Sequence, residues 1–168
     1  MRLPEDSIVI DRPIDDVFRF VTDPRNDPSW HTTVVEARRL DAGPLAVGST
    51  FAGTYDSNRR TLQTPPTPSN FQGIEAELIE LDAPRSSRLR VRFVDAPRGV
   101  GGRMLGSTFD LTFRFEPVGA GTRVWRGVEI HPVGFMRLLV PLLLPLNAGR
   151  GPYLLRLLRE AVEAAAPG

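Results

Sequence analysis

The sequence holds no cysteine and no lysine, and only two histidines, two tryptophans and two tyrosines among its 168 residues. Without cysteine there is no disulfide, no thiolate metal site and no cysteine nucleophile. The two histidines, His31 and His131, are too few for a three-histidine metal centre, and no metal-ligand spacing is present elsewhere, so neither a metal nor another cofactor is expected. The missing lysine carries no chemical message of its own: all 21 cations are arginine, as an arginine-favouring codon usage gives. With 20 acids the formal net charge is +1. No global field therefore recruits nucleic acid or an anionic membrane. Long apolar runs are also scarce. Val133 to Leu146 falls short of the roughly 20 residues that span a bilayer. Arg137 interrupts it, and Pro141 and Pro145 would break a helix there. A buried or pocket-lining segment is expected rather than a stable membrane insertion. The first residues lack the apolar region of a signal peptide, which makes the cytoplasm the expected location. Gly99 to Gly102 is glycine-rich, but no strand-to-helix turn and no lysine accompany it, so it is no phosphate cradle.

What is present is a sheet with a helix at each end. Ser7–Asp11 predicts a strand, and Pro13 suits the start of a helix in which Ile14, Val17, Phe18 and Val21 share one face. Asp15 and Asp16 occupy its first turn, where the helix dipole favours negative charge. Asp23-Pro24 and Asp27-Pro28 mark turns or a second short helix ending at Trp30. Strands follow at Val34–Leu40, Gly48–Asp56, Ile74–Leu81 and through Leu89, Val91 and Phe93, the last with Arg88, Arg90 and Arg92 as a basic, solvated outer face. Phe109, Leu111, Phe113 and Phe115 alternate in strict period two. Val118-Gly-Ala-Gly121 turns the chain into Thr122–His131. Residues 57–73 form a proline-rich loop, and Gly151–Ala166 is an amphipathic helix with Leu154, Leu157, Leu158, Ala161 and Ala165 as its apolar stripe. Short connections imply a seven-stranded antiparallel sheet in a single α+β domain over residues 1–168, and a helix gripped by the concave face leaves a cavity.

That order, with Ile10-Asp-Arg-Pro13 running into Val17-Phe-Arg-Phe20, then Asp23-Pro24 and Trp30, resembles the START-like, birch-pollen-allergen-like helix-grip superfamily (SRPBCC). It is most similar to the bacterial polyketide cyclase/dehydrase branch. Pro44-Leu-Ala-Val-Gly48, Phe115 to Val124 and the terminal helix carry the same likeness. The resemblance implies a seven-stranded antiparallel sheet wrapped around a long C-terminal helix with two short N-terminal helices. It implies either a protein that holds a hydrophobic, aromatic or lipid-like small molecule, or a cofactor-independent cyclase or aromatase. These motifs define a scaffold rather than a reaction.

Arg126 stands out within the resulting cavity. By alternation with Val124, Val128 and Ile130 it points inward, where an unpaired guanidinium is costly. It would bind a ligand carboxylate, stabilise an enolate, pair with an acid such as Glu80, or reach the sheet edge. His31 and Tyr55 are the candidate proton carriers. Trp30, Phe51, Phe93, Phe109, Phe113, Leu142 and Tyr153 complete the expected ligand-binding set. The loop at 57–72 and the segment 141–152 are expected to rim the entrance. The partner is a hydrophobic small molecule bound by a monomer or homodimer.

Overall fold

The computed structural model describes residues 1–95, 107–134, 137–138 and 149–165. Seven strands form one antiparallel sheet: β1 (Asp6–Ile10), β2 (Val34–Arg39), β3 (Thr50–Asp56), β4 (Phe71–Asp82), β5 (Ser86–Asp95), β6 (Thr108–Val118) and β7 (Gly121–His131). Their spatial order is β1-β7-β6-β5-β4-β3-β2, so the N-terminal strand closes beside the last one. The β6–β7 hairpin is as tight as its glycines predict. Gly119 takes φ +61° as the first of two loop residues, the position glycine occupies in a type II′ turn. Gly121 then lets β7 approach β1 closely, because a Cβ there would lie 2.6 Å from the Ile10 carbonyl oxygen.

Helix α1 (Ile14–Thr22) begins one residue after Pro13. Pro13 is the N-cap, its carbonyl accepting from the Val17 N–H at 3.1 Å. A 3₁₀ helix, Pro24–Ser29, follows, and the Asp23 carboxylate caps it by accepting from the Arg25 N–H at 3.1 Å. The C-terminal helix α2 (Arg150–Ala164) lies over the concave face and along β1. Arg12 ties the two together by donating to the carbonyl of Glu163 at 2.6 Å.

The core is concentrated at one end of the concave face. Val17, Phe18 and Val21 from α1 and Leu154, Leu155, Leu158 and Val162 from α2 meet Ile10, Trp30, Phe113, Phe115 and Val124. The buried stripe of α2 is thus turned from the predicted one. Leu155 and Val162 are buried, while Leu157 and Ala161 are only half-buried, because the helix packs against the edge strand as well as the sheet. Leu111 and Phe113 pack with the helices, whereas Phe109 lies beyond them and lines a cavity, as expected of it.

On the convex face the three arginines of β5 each meet an acid. Arg90 makes a two-pronged contact with Asp110 at 2.8 and 2.9 Å, Arg88 reaches Glu129 at 3.3 Å, and Arg92 pairs with Glu75. The hydrogen bonds and charge of Arg90, with a smaller contribution from His131, hold the Asp110 carboxyl below its ordinary range against the opposing effect of burial. The expected basic face is therefore an ion-paired one. No helix among the described residues is long and apolar enough to cross a membrane.

Candidate functional site

Antiparallel register explains where the cavity is and what lines it. Residues directly opposite one another point to the same face. One row across the sheet reads Phe51–Ala76–Val91–Phe109–Ile130, and the next reads Leu78–Leu89–Leu111–Val128. A third runs Ala37–Gly53–Ile74–Phe93. Small residues in these rows (Ala37, Gly53 and Ala76) leave space that the described parts of the helices do not fill. The result is a cavity of about 600 Å³ lined mostly by apolar side chains. Tyr55, Phe93 and Phe109 form an edge-on aromatic wall, with ring centroids 5.5 and 5.6 Å apart.

The polar end has a different origin. Asp6 on β1, Arg126 on β7, Phe113 on β6 and Ser87 on β5 occupy one register row. Asp6 and Arg126 line the cavity, whereas Phe113 belongs to the core. The 3₁₀ turn supplies two more groups. The Asp27 carbonyl accepts from the N–H groups of Trp30 and His31 at 3.1 and 2.7 Å, which folds Asp27 and His31 toward the same space. Arg150, from the first turn of α2, completes the set.

These groups are electrostatically coupled. Arg126 makes no salt bridge or hydrogen bond among the described residues, and its Nε is buried without a partner. Burial pulls its pKa below the ordinary arginine value, against the opposing pull of Asp27. Burial likewise pushes the Asp27 carboxyl up to about 7, although Arg126 opposes the shift. The Trp30 indole N–H is near enough to favour the charged form of Asp27, yet it makes no well-formed hydrogen bond. His31 is held well below its ordinary pKa by burial, then by Arg126 and Arg150. Its Nδ1 lies 3.0 Å from the Thr33 hydroxyl, which leaves Nε2 as the ring nitrogen without a protein partner among the described residues.

Linkage gives this arrangement a measurable sign. The folded pKa of Asp27 is raised from 3.8 to about 7. The folded state thus holds a proton that the unfolded chain has already released over that interval, and the associated stability is lost as pH rises from 3.8 to about 7. His31 acts oppositely, costing stability as pH falls below 6.5. Asp27→Asn is expected to gain stability over the parent protein progressively across the Asp27 interval and to hold a constant advantage above it. Thermal melts of both proteins across the pH range check this, and a constant difference throughout would refute it.

The sequence-derived candidates separate on inspection. Phe51, Tyr55, Phe93, Phe109, Arg126 and His31 all line the cavity. Trp30 and Phe113 do not: their rings meet each other in the core, centroids 6.5 Å apart. Tyr153 lies outside the lining, its ring under the Arg156 guanidinium. Glu80 is exposed and does not pair with Arg126, because a register irregularity between Leu78 and Glu80 turns it outward. Among the described residues the loop at 57–72 contributes nothing to the lining. It is pinned instead to the buried Asp56 carboxylate, which accepts from the Asn58 and Thr67 N–H groups. Leu142 and residues 141–148 of the expected entrance lie outside the described residues. Asp6, Asp27 and Arg150 were not singled out in the sequence. Asp27 carried only its turn signal, and Asp6 is visible only once β1 is paired with β7.

An antiparallel sheet gripping a C-terminal helix, with a largely apolar cavity between them, defines a helix-grip protein. A family model described as polyketide cyclase / dehydrase and lipid transport matches residues 3–163, and the chain belongs to that family. Among solved structures, protein CV1439 from Chromobacterium violaceum is similar at 18% identity and TM-score 0.62, with 98% of each chain covered. The di-domain ARO/CYC BexL from the BE-7585A biosynthetic pathway is similar at 19% identity and TM-score 0.64, over 97% of this chain and 46% of that one. Ara h 8.0201 shares the fold at 9% identity and TM-score 0.61, with coverage of 98% and 99%. These likenesses establish the fold. No curated protein matches.

Proposed function

We propose that the protein binds a hydrophobic, ring-bearing or lipid-like small molecule in the cavity, with the molecule's polar end toward Arg126. The observation that carries this reading is the division of one cavity into two chemistries. An aromatic and aliphatic wall built by β3–β7 faces a small cluster of ionisable groups at the β1–α2 end. Such a lining suits amphipathic ligands, whose apolar body supplies affinity and whose polar end fixes orientation. Membership in a family described as polyketide cyclase / dehydrase and lipid transport supports the same class.

A second reading is favoured by one specific observation. Asp27, with a pKa of about 7, and the neutral His31 line the same space as Arg126. A carboxyl poised near neutrality and a neutral imidazole beside a guanidinium suit proton transfer at an enolisable carbonyl, with Arg126 facing the oxyanion. One experiment separates the two. The protein is incubated in D₂O with an enolisable naphthyl ketone, and the ketone is recovered by filtration with the protein. Retention without label supports binding alone. Deuterium at the α-carbon, lost in Asp27→Asn, supports catalysis. No retention by the folded protein contradicts both.

A further inference from the structure

Arg126 has a part in both binding and proton transfer, whereas Arg150 has none. Arg150 lies in the first turn of α2, a costly place for a cation, since the N-terminal end of a helix already carries partial positive charge. It is close enough to Arg126 to add to the burial that lowers that guanidinium's pKa. Both side chains line the cavity, and each has a buried nitrogen with no hydrogen-bond partner among the described residues: Nε of Arg126 and Nη2 of Arg150. Two neighbouring guanidinium groups with orphaned buried donors are unfavourable in an apolar cavity unless an anion joins them.

From this geometry we infer that Arg126 and Arg150 together form a clamp for the carboxylate of a monoanionic ligand whose apolar body lies against Phe93 and Phe109. The inference rests on reading the cavity as a small-molecule site and narrows what the site takes.

The charge balance selects a monoanion. The ionisable groups facing the two arginines are Asp6 from β1, Asp27 and His31 from the 3₁₀ turn and the residue following its C-cap, and Tyr55 from β3. Asp6 belongs chiefly to α2: its Oδ2 lies where a Cβ on Gly151 would fall, so its carboxylate rests against the first turn, where the helix dipole favours it. His31 is neutral. Below about pH 7, where Asp27 is protonated, two guanidinium charges against one carboxylate leave a single positive charge. One ligand carboxylate neutralises it, whereas a phosphate dianion or a dicarboxylate overshoots. Arg2 also borders the cavity, but it is tied to Glu129 on the convex side at 3.6 Å.

The test compares 4-(1-pyrenyl)butanoate, its methyl ester and the corresponding phosphonate by fluorescence titration of the intact protein. Hydrogen bonds to a charged group predict that the carboxylate binds about tenfold or more tighter than the ester. Arg126→Met and Arg150→Met should each remove most of that preference by weakening the acid about tenfold more than the ester, with an unchanged thermal melt reporting that the variant is folded. Equal binding of acid and ester overturns the clamp and leaves the small-molecule reading intact. A tighter phosphonate overturns the monoanion assignment. Failure of the folded protein to bind either acid or ester overturns the cavity reading and the clamp with it.

Discussion

Leu158→Ala is expected to destabilise the protein by about 2–5 kcal/mol, the range for removing a fully buried leucine from a packed core. Leu158 has no exposed surface and sits where α2 meets the concave face among Val17, Phe113, Phe115 and Val124. Neither the helix nor the sheet is free to collapse into the space. Each is held by its own hydrogen-bond ladder, and Arg12 fastens the far end of α2 to the turn after β1. Leu157, one residue earlier and only half-buried, provides the internal comparison and should cost clearly less. Urea unfolding of the two variants reads both values. If Leu158→Ala costs no more than Leu157→Ala, the helix does not anchor the core as described.

Ala76→Trp is expected to weaken ligand binding roughly ten- to hundredfold while the fold persists. Ala76 sits mid-sheet between Phe51 and Val91 in register and lines the cavity. An indole there projects into space that no described side chain occupies. Overpacking of a filled site costs about 1–3 kcal/mol, so a ligand that must share the space loses roughly ten- to hundredfold in affinity. The same substitution buries new apolar surface in a void, so stability should hold or rise. Calorimetric binding and a thermal melt on one sample read both effects. Unchanged affinity would place the ligand elsewhere, and collapse of the fold would show that the cavity is not open space.

The scaffold was legible because each of its signals is local. The alternation of Phe109, Leu111, Phe113 and Phe115 specifies a strand whatever it pairs with, and Gly119 specifies the turn that follows. The helix start at Pro13 and the inward direction of Arg126 are equally local, since both depend on neighbours a few residues away. The polar end of the cavity is not local. Asp6 meets Arg126 only because β1 closes beside β7, a pairing between residues at opposite ends of the chain. Asp27 looks like half of an Asp-Pro turn, and its second role arises from where the 3₁₀ helix is packed. Trp30 suits a packed helix–strand corner as well as a cavity wall, and in the fold its bulk closes the core between the 3₁₀ turn and Phe113. Periodicity gives the face a side chain points to, and packing decides how far along that face the helices reach.

One cavity, split between an aromatic wall and an Arg126 end, is proposed to receive a small molecule. Methyl chemical-shift mapping during titration with 4-(1-pyrenyl)butanoate tests it most directly, because cavity, core and surface all carry methyl groups. Ile74, Leu89, Val91, Leu111 and Val128, all in the cavity lining, should shift strongly and saturate together. The core methyls of Val17, Leu158 and Val162 should barely move. Saturable shifts confined to exposed methyls such as Val9, Leu40 and Val47, with the lining silent, would contradict it.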